Sequence, residues 1–480
     1  MIADRSSPAV QEQQDVCVVG GGPAGLTAAL TLAEAGRRVL LFESGGRRVS
    51  AAAQRLNAGD CEGETYAGLV RTRHRRLGGT ANVWDVRIDG RIGAKYVPLG
   101  RRDLAGWPIG LDELRPHYVE AQELCGLGPF EYGAEYWTTD GRAPFAVDGT
   151  GLASGVYQFG YAERLTRDLV GRVCASDAIT VVSSTVVQLV VDRAAGRLDA
   201  LRAVDGSGRT AEVKPGVVIL AGGAVENARL LLLAGLEGAW LGRGFMEHAR
   251  DFSLSLVPRS PELFGDAGFY DLHASRDGVL VGGHLALSDD ARETLTLPNA
   301  ALTLIPRARR SLLRQLAARS GSAADHRYGW SRDPRAFDRV DLVLNLEQRP
   351  RPENRIEPGS RTDRFGNPVA RLHLRWSEEE QQDLERLREL LREWFRAAGL
   401  GDLLTAPGRR PDLSAHHHAG TTRMAADPHD GVVDPDGRVF GLENAYVAGA
   451  SVFPTAGFAN PTLTVVALAR RLGRHLAAAR

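Results

Sequence analysis

An α/β fold in two lobes, one Rossmann-like and the other an α+β lobe containing an antiparallel sheet, is predicted by three features of the sequence. Near the N-terminus the apolar run Val16-Cys17-Val18-Val19 stops at Gly20-Gly21-Gly22-Pro23-Ala24-Gly25. Leu26, Ala29, Leu30 and Ala33 then recur at helical spacing, giving strand, tight turn and helix in succession. A second run, Val217-Val218-Ile219-Leu220, also ends in glycines, Gly222 and Gly223, ahead of helical spacing from Glu226 to Leu233. Mid-chain, Val340 to Gln348 reads as a strand, with Asn354-Arg355-Ile356 and Ala370 to Leu374 as neighbours set off by Pro- and Gly-rich turns.

The 480 residues suffice for two large lobes. Fifty-nine basic residues balance 59 acidic ones, so no whole-chain field draws the protein to nucleic acid or an anionic membrane. Met1 to Asp15 is polar and lacks the apolar core of a signal peptide, and no apolar run is long enough to span a bilayer; the expected location is the cytoplasm. Cys17, Cys61, Cys125 and Cys174 lack the spacing of a disulfide framework or zinc site. Lysine occurs only at positions 95 and 214 among many arginines, a bias attributed to a GC-rich genome.

The first glycine turn carries the first chemistry. Gly20 permits the turn, Gly22 lets a pyrophosphate approach the backbone, and Gly25 allows close helix packing, with the helix N-terminus facing the phosphates. The next strand, Arg38-Val39-Leu40-Leu41-Phe42, ends at Glu43, where a carboxylate can accept both hydroxyls of an adenosine ribose. An acid at that position argues against a 2′-phosphate and leaves FAD or NAD. Thr180-Val181-Val182, Val186 to Val191 and the turn Asp205-Gly206-Ser207-Gly208 form an expected β-meander leading to the second glycine-ended strand. Gly222 and Gly223 mark either a second approach to the cofactor or an ordinary strand-to-helix turn.

Arg307 to Asp333, rich in Arg, Ala and Ser, is expected to be a loop or lid over the site. Ser377 to Ala398 is the clearest helix. Ser377 and Glu380 make a capping box, Leu384, Leu387, Leu391 and Trp394 one stripe, and Gly399 a stop, with the charges on a solvated face. Two chemically loaded stretches follow, His416-His417-His418-Ala419-Gly420-Thr421-Thr422 and Phe458-Ala459-Asn460-Pro461-Thr462-Leu463-Thr464. The triplet offers a candidate base, and zinc is disfavoured because no cysteine or carboxylate sits at ligand spacing beside it. Asn460 suits an N-cap, Pro461 the first helical position, and Leu463, Val466, Ala467 and Leu468 a helix.

Together with Arg76-Leu77-Gly78-Gly79-Thr80-Ala81-Asn82-Val83-Trp84, Trp107-Pro108-Ile109 through Tyr118, Ala221 to Leu230, and Gly242-Arg243-Gly244-Phe245-Met246-Glu247-His248, these motifs resemble the glucose-methanol-choline (GMC) flavoprotein oxidoreductases from end to end. The resemblance implies FAD as cofactor, a discontinuous FAD-binding domain from residues 1–100, 171–250 and 411–480, and a substrate domain from 101–170 and 251–410. It implies cofactor contacts at Gly20, Gly22, Gly25, Glu43, Gly78, Gly79, Asn82, Val187, Gly449, Ala450, Pro461 and Thr462, and no metal. The family base stands four residues before the threonine of H-x-x-G-T, which selects His417. Its partner, His or Asn in relatives, is Asn460 here, as in the pyranose-oxidase and cholesterol-oxidase arrangement. Covalently flavinylated relatives carry histidine where this chain has Val83, so noncovalent FAD is expected.

The implied activity is oxidation of an alcohol. A flavin accepts hydride from a carbinol carbon only as the hydroxyl proton leaves, so His417 is expected to take the proton and Asn460 to hold the oxygen. The helix after Asn460 is expected to direct its positive end at the flavin pyrimidine ring. The Trp-Pro segment and the His-Asn pair lean towards a sugar, aminosugar or cyclitol, for example an aminoglycoside 6′-hydroxyl or a glycoside 3-hydroxyl. Another alcohol such as a sterol, or a hydroxynitrile-lyase-like enzyme with structural FAD, are alternatives; oxygen or another acceptor takes the electrons. Gln348 and His373 are candidates for hydroxyl recognition or plain sheet-face residues. His248 is expected to pack or cap near the domain junction, and Arg71 to Arg76 to be a solvated segment near the cofactor phosphates rather than a nucleic-acid patch.

Overall fold

Runs of β-branched residues without polar alternation need cover on both faces, and the first sheet provides it. The computed structural model describes residues 2–3, 14–139, 141–308 and 337–479, so residues 309–333 of the expected lid lie outside the described residues. Strands of the first sheet run in the order Thr210–Val213, Arg197–Asp205, Ile179–Asp192, Val39–Glu43, Gln14–Val19, Pro215–Leu220 and Ala445–Val447. From Ile179–Asp192 to Ala445–Val447 every pairing is parallel. Cys17, Val18, Leu40, Leu41, Val218 and Ile219 are wholly buried. Helices Pro23–Glu34 and Thr462–Ala478, from opposite chain ends, pack so closely that a Cβ on Gly473 would fall 2.7 Å from the Thr31 Cβ.

The expected meander is more continuous than its sequence suggests. Ile179–Asp192 is a single strand whose first five residues pair with Val39–Glu43 and whose remainder pairs antiparallel with Arg197–Asp205, with a register shift between Val186 and Gln188. Such a bulge adds twist, and here one strand serves both neighbours, with Ile2–Ala3 pairing parallel to it as well at Val181 and Val182.

The second sheet is antiparallel, in the order Gly401–Leu404, His248–Pro258, Phe337–Glu347, Ala300–Ala308, Leu280–Leu287, Leu152–Tyr161, Arg91–Tyr96 and Val86–Ile88. Period-two alternation sorts its faces. Val340, Leu342, Leu344 and Leu346 are buried in one apolar cluster with Leu384, Leu387, Leu391 and Phe395 of helix Glu378–Ala397. The alternate residues Asp341, Val343 and Asn345 border a cavity.

That helix carries the expected capping box, with Glu380 N donating to Ser377 Oγ at 3.1 Å and Ser377 N donating to Glu380 Oε2 at 2.8 Å. Two details differ from expectation. Phe395 completes the buried stripe, while Trp394 is only half-buried. Arg388 is not on a solvated face: it is 1% exposed and pairs at 2.9 Å with the equally buried Asp251. Its other donors reach Glu385 Oε1 at 2.6 Å and Arg409 O at 2.8 Å, so a guanidinium can be buried here with its hydrogen bonds made.

Arg355–Thr362 and Pro368–Leu374 form the expected antiparallel pair, but not beside Phe337–Glu347. They build a separate three-stranded sheet with Gly59–Gly63, which pairs parallel to Pro368–Leu374. Strands Val86–Ile88 and Arg91–Tyr96, close to the first chain end, likewise join the nine-stranded sheet. The Trp-Pro segment ties helix Leu111–Cys125 to the C-terminal block: Trp107 Nε1 donates to Thr455 Oγ1 at 2.7 Å, and Tyr118 and Thr464 share a 2.8 Å hydrogen bond.

Candidate active site

The carboxyl ends of the parallel strands face the polar side of the antiparallel sheet across a cavity of about 1050 Å³. At one end is the first glycine turn. Gly20 has φ +114°, and a Cβ on Gly25 would sit 1.9 Å from Gly20 O, so turn and helix meet without room for a side chain. Gly22 faces open space: a Cβ placed there would have Gly79 Cα, at 3.9 Å, as its nearest neighbour. Glu43 beside it accepts from Gly21 N at 2.9 Å and from Gly45 N at 2.8 Å, which fixes the carboxylate at the wall with lone pairs to spare.

Of the residues expected at the cofactor, Gly20, Gly22, Glu43, Gly79, Gly449, Ala450, Pro461 and Thr462 border this cavity, as do Gly222 and Gly223. Gly25, Gly78, Asn82 and Val187 stand behind it. Asn82 Nδ2 donates to Leu77 O at 3.0 Å and Gly79 O at 2.8 Å, bracing the second glycine turn, while Gly78 N donates to Gly21 O at 2.8 Å and joins the two turns. Val187 O accepts from Asn367 Nδ2 at 3.0 Å, and Val186, one step along the strand, is at the wall.

The basic run is solvated only in part: Arg71 is exposed, whereas Arg73 and Arg75 turn inward. Side chains of Arg73 and Arg75 are 11% and 13% exposed and reach Glu226 Oε2 at 3.6 and 3.1 Å. Arg229 adds a 2.7 Å contact to the same carboxylate. Burial pushes Glu226 up, but the three guanidiniums outweigh it and hold the group at about 2. Burial also lowers Arg73 to about 10.

His417 and Asn460 border the same cavity from different parts of the C-terminal block. The helix assigned as Thr462–Ala478 has Pro461 at its N-cap position; Pro461 already has φ −71° and ψ −15°, and its carbonyl accepts from Val465 N at 2.9 Å. Asn460 therefore lies one residue before the cap, and its side chain makes no hydrogen bond among the described residues. Its amide is available to the cavity.

A buried acid organises the histidine triplet. Glu247, 0% exposed, accepts from His417 N at 2.8 Å and from Tyr66 Oη–H at 2.5 Å, and the Tyr66 oxygen lies 2.6 Å from His418 Nε2. Burial, and then the charge of Glu247, push the Tyr66 phenol well above its ordinary value, so it stays a donor. His416 takes φ +62°, a left-handed conformation that turns the loop between its neighbours. His417 Nδ1 meets His248 Nδ1 at 2.7 Å. His248 thus supports the triplet directly, beyond the packing role read from sequence. Burial, then His248, Arg250 and Lys95, hold His417 well below the usual histidine range, and burial lowers His248 as well. A neutral imidazole facing the cavity is a proton acceptor at neutral pH.

The opposite wall was not legible as a site from the sequence. Lys95, Arg250, Thr303 and Asn345 face the cavity, with Lys95 Nζ donating to Thr303 Oγ1 at 3.0 Å. The alternation through residues 341–345 and the rarity of lysine were the only signals. Gln348 and His373, the sequence candidates, lie elsewhere. Gln348 accepts from Glu247 N at 3.0 Å and donates to Arg375 O at 3.2 Å, while His373 is engaged by Glu357 at 2.7 Å in the three-stranded sheet. Among the described residues no cluster has the composition of a metal site, and no helix is long and apolar enough to cross a membrane.

Residues 15–348 match the FAD dependent oxidoreductase family and residues 350–469 the GMC oxidoreductase family. A C-glycoside 3-oxidase of Arthrobacter globiformis is 37% identical over 24% of this chain, a stretch that spans 22% of that protein. The 6'''-hydroxyparomomycin C oxidase of Streptomyces lividus is 25% identical over 97% of this chain and 92% of its own length. In fold, the chain is similar to the crystal structure of pyridoxine 4-oxidase from Mesorbium loti, with a TM-score of 0.58, 17% identity, and coverage of 96% of this chain and 99% of that one. With residues 15–348 matched to the one family and residues 350–469 to the other, the chain belongs to the GMC family of FAD-dependent oxidoreductases.

Proposed function

We propose that the protein oxidises a hydroxyl group of a sugar, aminosugar or cyclitol to the carbonyl, with FAD held noncovalently. The observation that carries this reading is that His417 and Asn460 border the same cavity as the Gly20–Gly25 turn and Glu43. The residues present suit FAD: an open glycine backbone for a pyrophosphate, an anchored carboxylate for ribose hydroxyls, and a helix N-terminus at Pro461–Thr462 for negative charge. When bound, the flavin supplies the hydride acceptor. His417 takes the hydroxyl proton at Nε2, because Nδ1 is committed to His248. Asn460 donates its amide to the substrate oxygen and so sets which carbinol hydrogen faces the cofactor.

Val83 at the cavity has no atom able to bond to the flavin, which supports noncovalent binding. The carbohydrate assignment draws on the relatives, whose names specify a C-glycoside and a hydroxyparomomycin as substrates. Oxygen or another small acceptor then removes the electrons. Residues 1–100, 171–250 and 411–480 serve as the cofactor domain in this reading, except strands Val86–Ile88 and Arg91–Tyr96, which belong to the nine-stranded sheet of the substrate side. The test is anaerobic mixing of the yellow holoenzyme with a panel of sugars, aminosugars, cyclitols and sterols, followed by flavin absorbance. Bleaching by members of the first three groups is expected. Bleaching by sterols alone, or by none of the panel, would overturn the reading.

A further inference from the structure

The polar wall of the cavity carries charge that neither cofactor cradle nor base requires. Lys95 leaves strand Arg91–Tyr96 and crosses the sheet to Thr303 Oγ1 at 3.0 Å, passing 4.2 Å from the centre of the Tyr157 ring. Among the described residues no carboxylate lies within ion-pair distance of its ammonium. Asp85 attracts it from farther away and is exposed. Arg250, on His248–Pro258, faces the same space and repels Lys95; Asp412 at 2.8 Å already neutralises it in part. The other ionic pair on this wall, Arg307 with Asp341, is internally balanced. One positive charge therefore stands uncompensated beside His417.

Lys95 is half-buried at the cavity wall, and an ammonium placed there without a counter-ion is free to meet an anion that enters the cavity. Burial, then Arg250, brings Lys95 down to about 8, which still leaves it largely protonated at neutral pH. Two of its three hydrogens remain after the bond to Thr303.

We propose that Lys95, assisted by Arg250, forms a subsite for a carboxylate carried by the alcohol substrate, so that the preferred substrate is an acidic sugar or cyclitol rather than a polyamine. This rests on the reading of His417 and Asn460 as an alcohol-oxidising site. A carboxylate suits one uncompensated cation better than a dianionic phosphate does. The same charge opposes an aminosugar whose ammonium would enter that end of the cavity. Asn345 and Thr303 remain beside Lys95 for neutral hydroxyls.

The test titrates the FAD-loaded protein with glucuronate, glucose, glucose 6-phosphate and glucosamine, reading dissociation constants from perturbation of the flavin spectrum and from thermal shift. Glucuronate is expected to bind most tightly, and Lys95→Met to lower the ratio of glucuronate to glucose affinity by about 10- to 100-fold, the scale of a charge-assisted hydrogen bond. Lys95→Arg should restore most of that ratio, which a purely structural lysine would not require. Equal binding of glucuronate and glucose, tighter binding of the phosphate or the amine, or an unchanged ratio in Lys95→Met would overturn the subsite. Anaerobic flavin bleaching in the same mixtures separates the two readings. Bleaching without acid preference removes the subsite alone, and acid preference without bleaching by any alcohol removes the oxidation reading alone.

Discussion

The Nδ1 atoms of His417 and His248 lie 2.7 Å apart, so the proton on one ring dictates the tautomer of the other. For His417 to present a lone pair at Nε2, its own proton must sit on Nδ1 and that of His248 on Nε2. His417→Ala is expected to keep bound flavin while slowing anaerobic flavin reduction by about 10²- to 10⁴-fold, the scale of a general base. Stopped-flow reduction at saturating substrate measures it, and an unchanged rate would remove His417 from the proton step.

The pH dependence follows from the direction of the His417 shift. Burial and the neighbouring cations disfavour its protonated form, so flavin reduction should stay level from neutral pH to below 6.5 and fall only as pH drops through the lowered pKa. Lys95→Met removes one of those cations, so the acidic limb should move to higher pH. A limb that stays put would mean that Lys95 does not act on the base.

Stability has its own acid limb. His284, stacked on Tyr157 at 4.1 Å, is pushed by burial down to about 3, whereas the unfolded chain takes up that proton near 6.5. Folding free energy from this group is therefore intact above about pH 6.5 and is lost progressively as pH falls towards 3. His284→Phe should flatten part of that slope in thermal melts across this range; an identical slope would contradict the assignment.

Glu247 holds the backbone of His417 and the side chain of Tyr66, so Glu247→Gln replaces an acceptor oxygen with a donor at one of them. The expected result is flavin reduction slowed by about 10- to 100-fold with flavin retained, as for a base displaced by a fraction of an ångström. Parallel loss of flavin would assign Glu247 to the fold instead.

The pair Arg388–Asp251 predicts a stability cost without chemistry. Arg388→Ala leaves the buried Asp251 carboxylate without its counter-ion, holding only its bonds from Ser253 N and Oγ, and should destabilise by about 3–5 kcal/mol in urea unfolding, whereas Arg388→Met with Asp251→Leu should recover part of it.

What the sequence disclosed depended on how local the physical cause was. The Gly20–Gly25 turn, the Glu43 strand end and the Ser377–Glu380 capping box are set by neighbours a few residues apart, and they occur where their spacing places them. Partners far apart in sequence were not legible. Arg388 stands four residues after Leu384 and three before Leu391, on the stripe that periodicity buries, but its counter-ion Asp251, 137 residues away, could not be read from the sequence. The pairing of His248 with His417 spans 169 residues, and that of Tyr66 with His418 spans 352. Val187 illustrates a finer limit, because a shift of one residue along a bulged strand takes a side chain off the cavity wall: Val186 borders the cavity and the half-buried Val187 does not.

Strand Pro215–Leu220 pairs with Gln14–Val19 on one side and with Ala445–Val447 on the other, which gives biosynthesis a fixed order. The first glycine turn leaves the ribosome before the loop that carries His417 and the helix start at Thr462, which follow roughly 20–90 s later at ordinary rates of elongation. A nascent chain can thus form the phosphate cradle long before it can enclose a flavin. A chain cut before Ala445 lacks that strand and leaves Pro215–Leu220 paired on one side only, an open sheet edge.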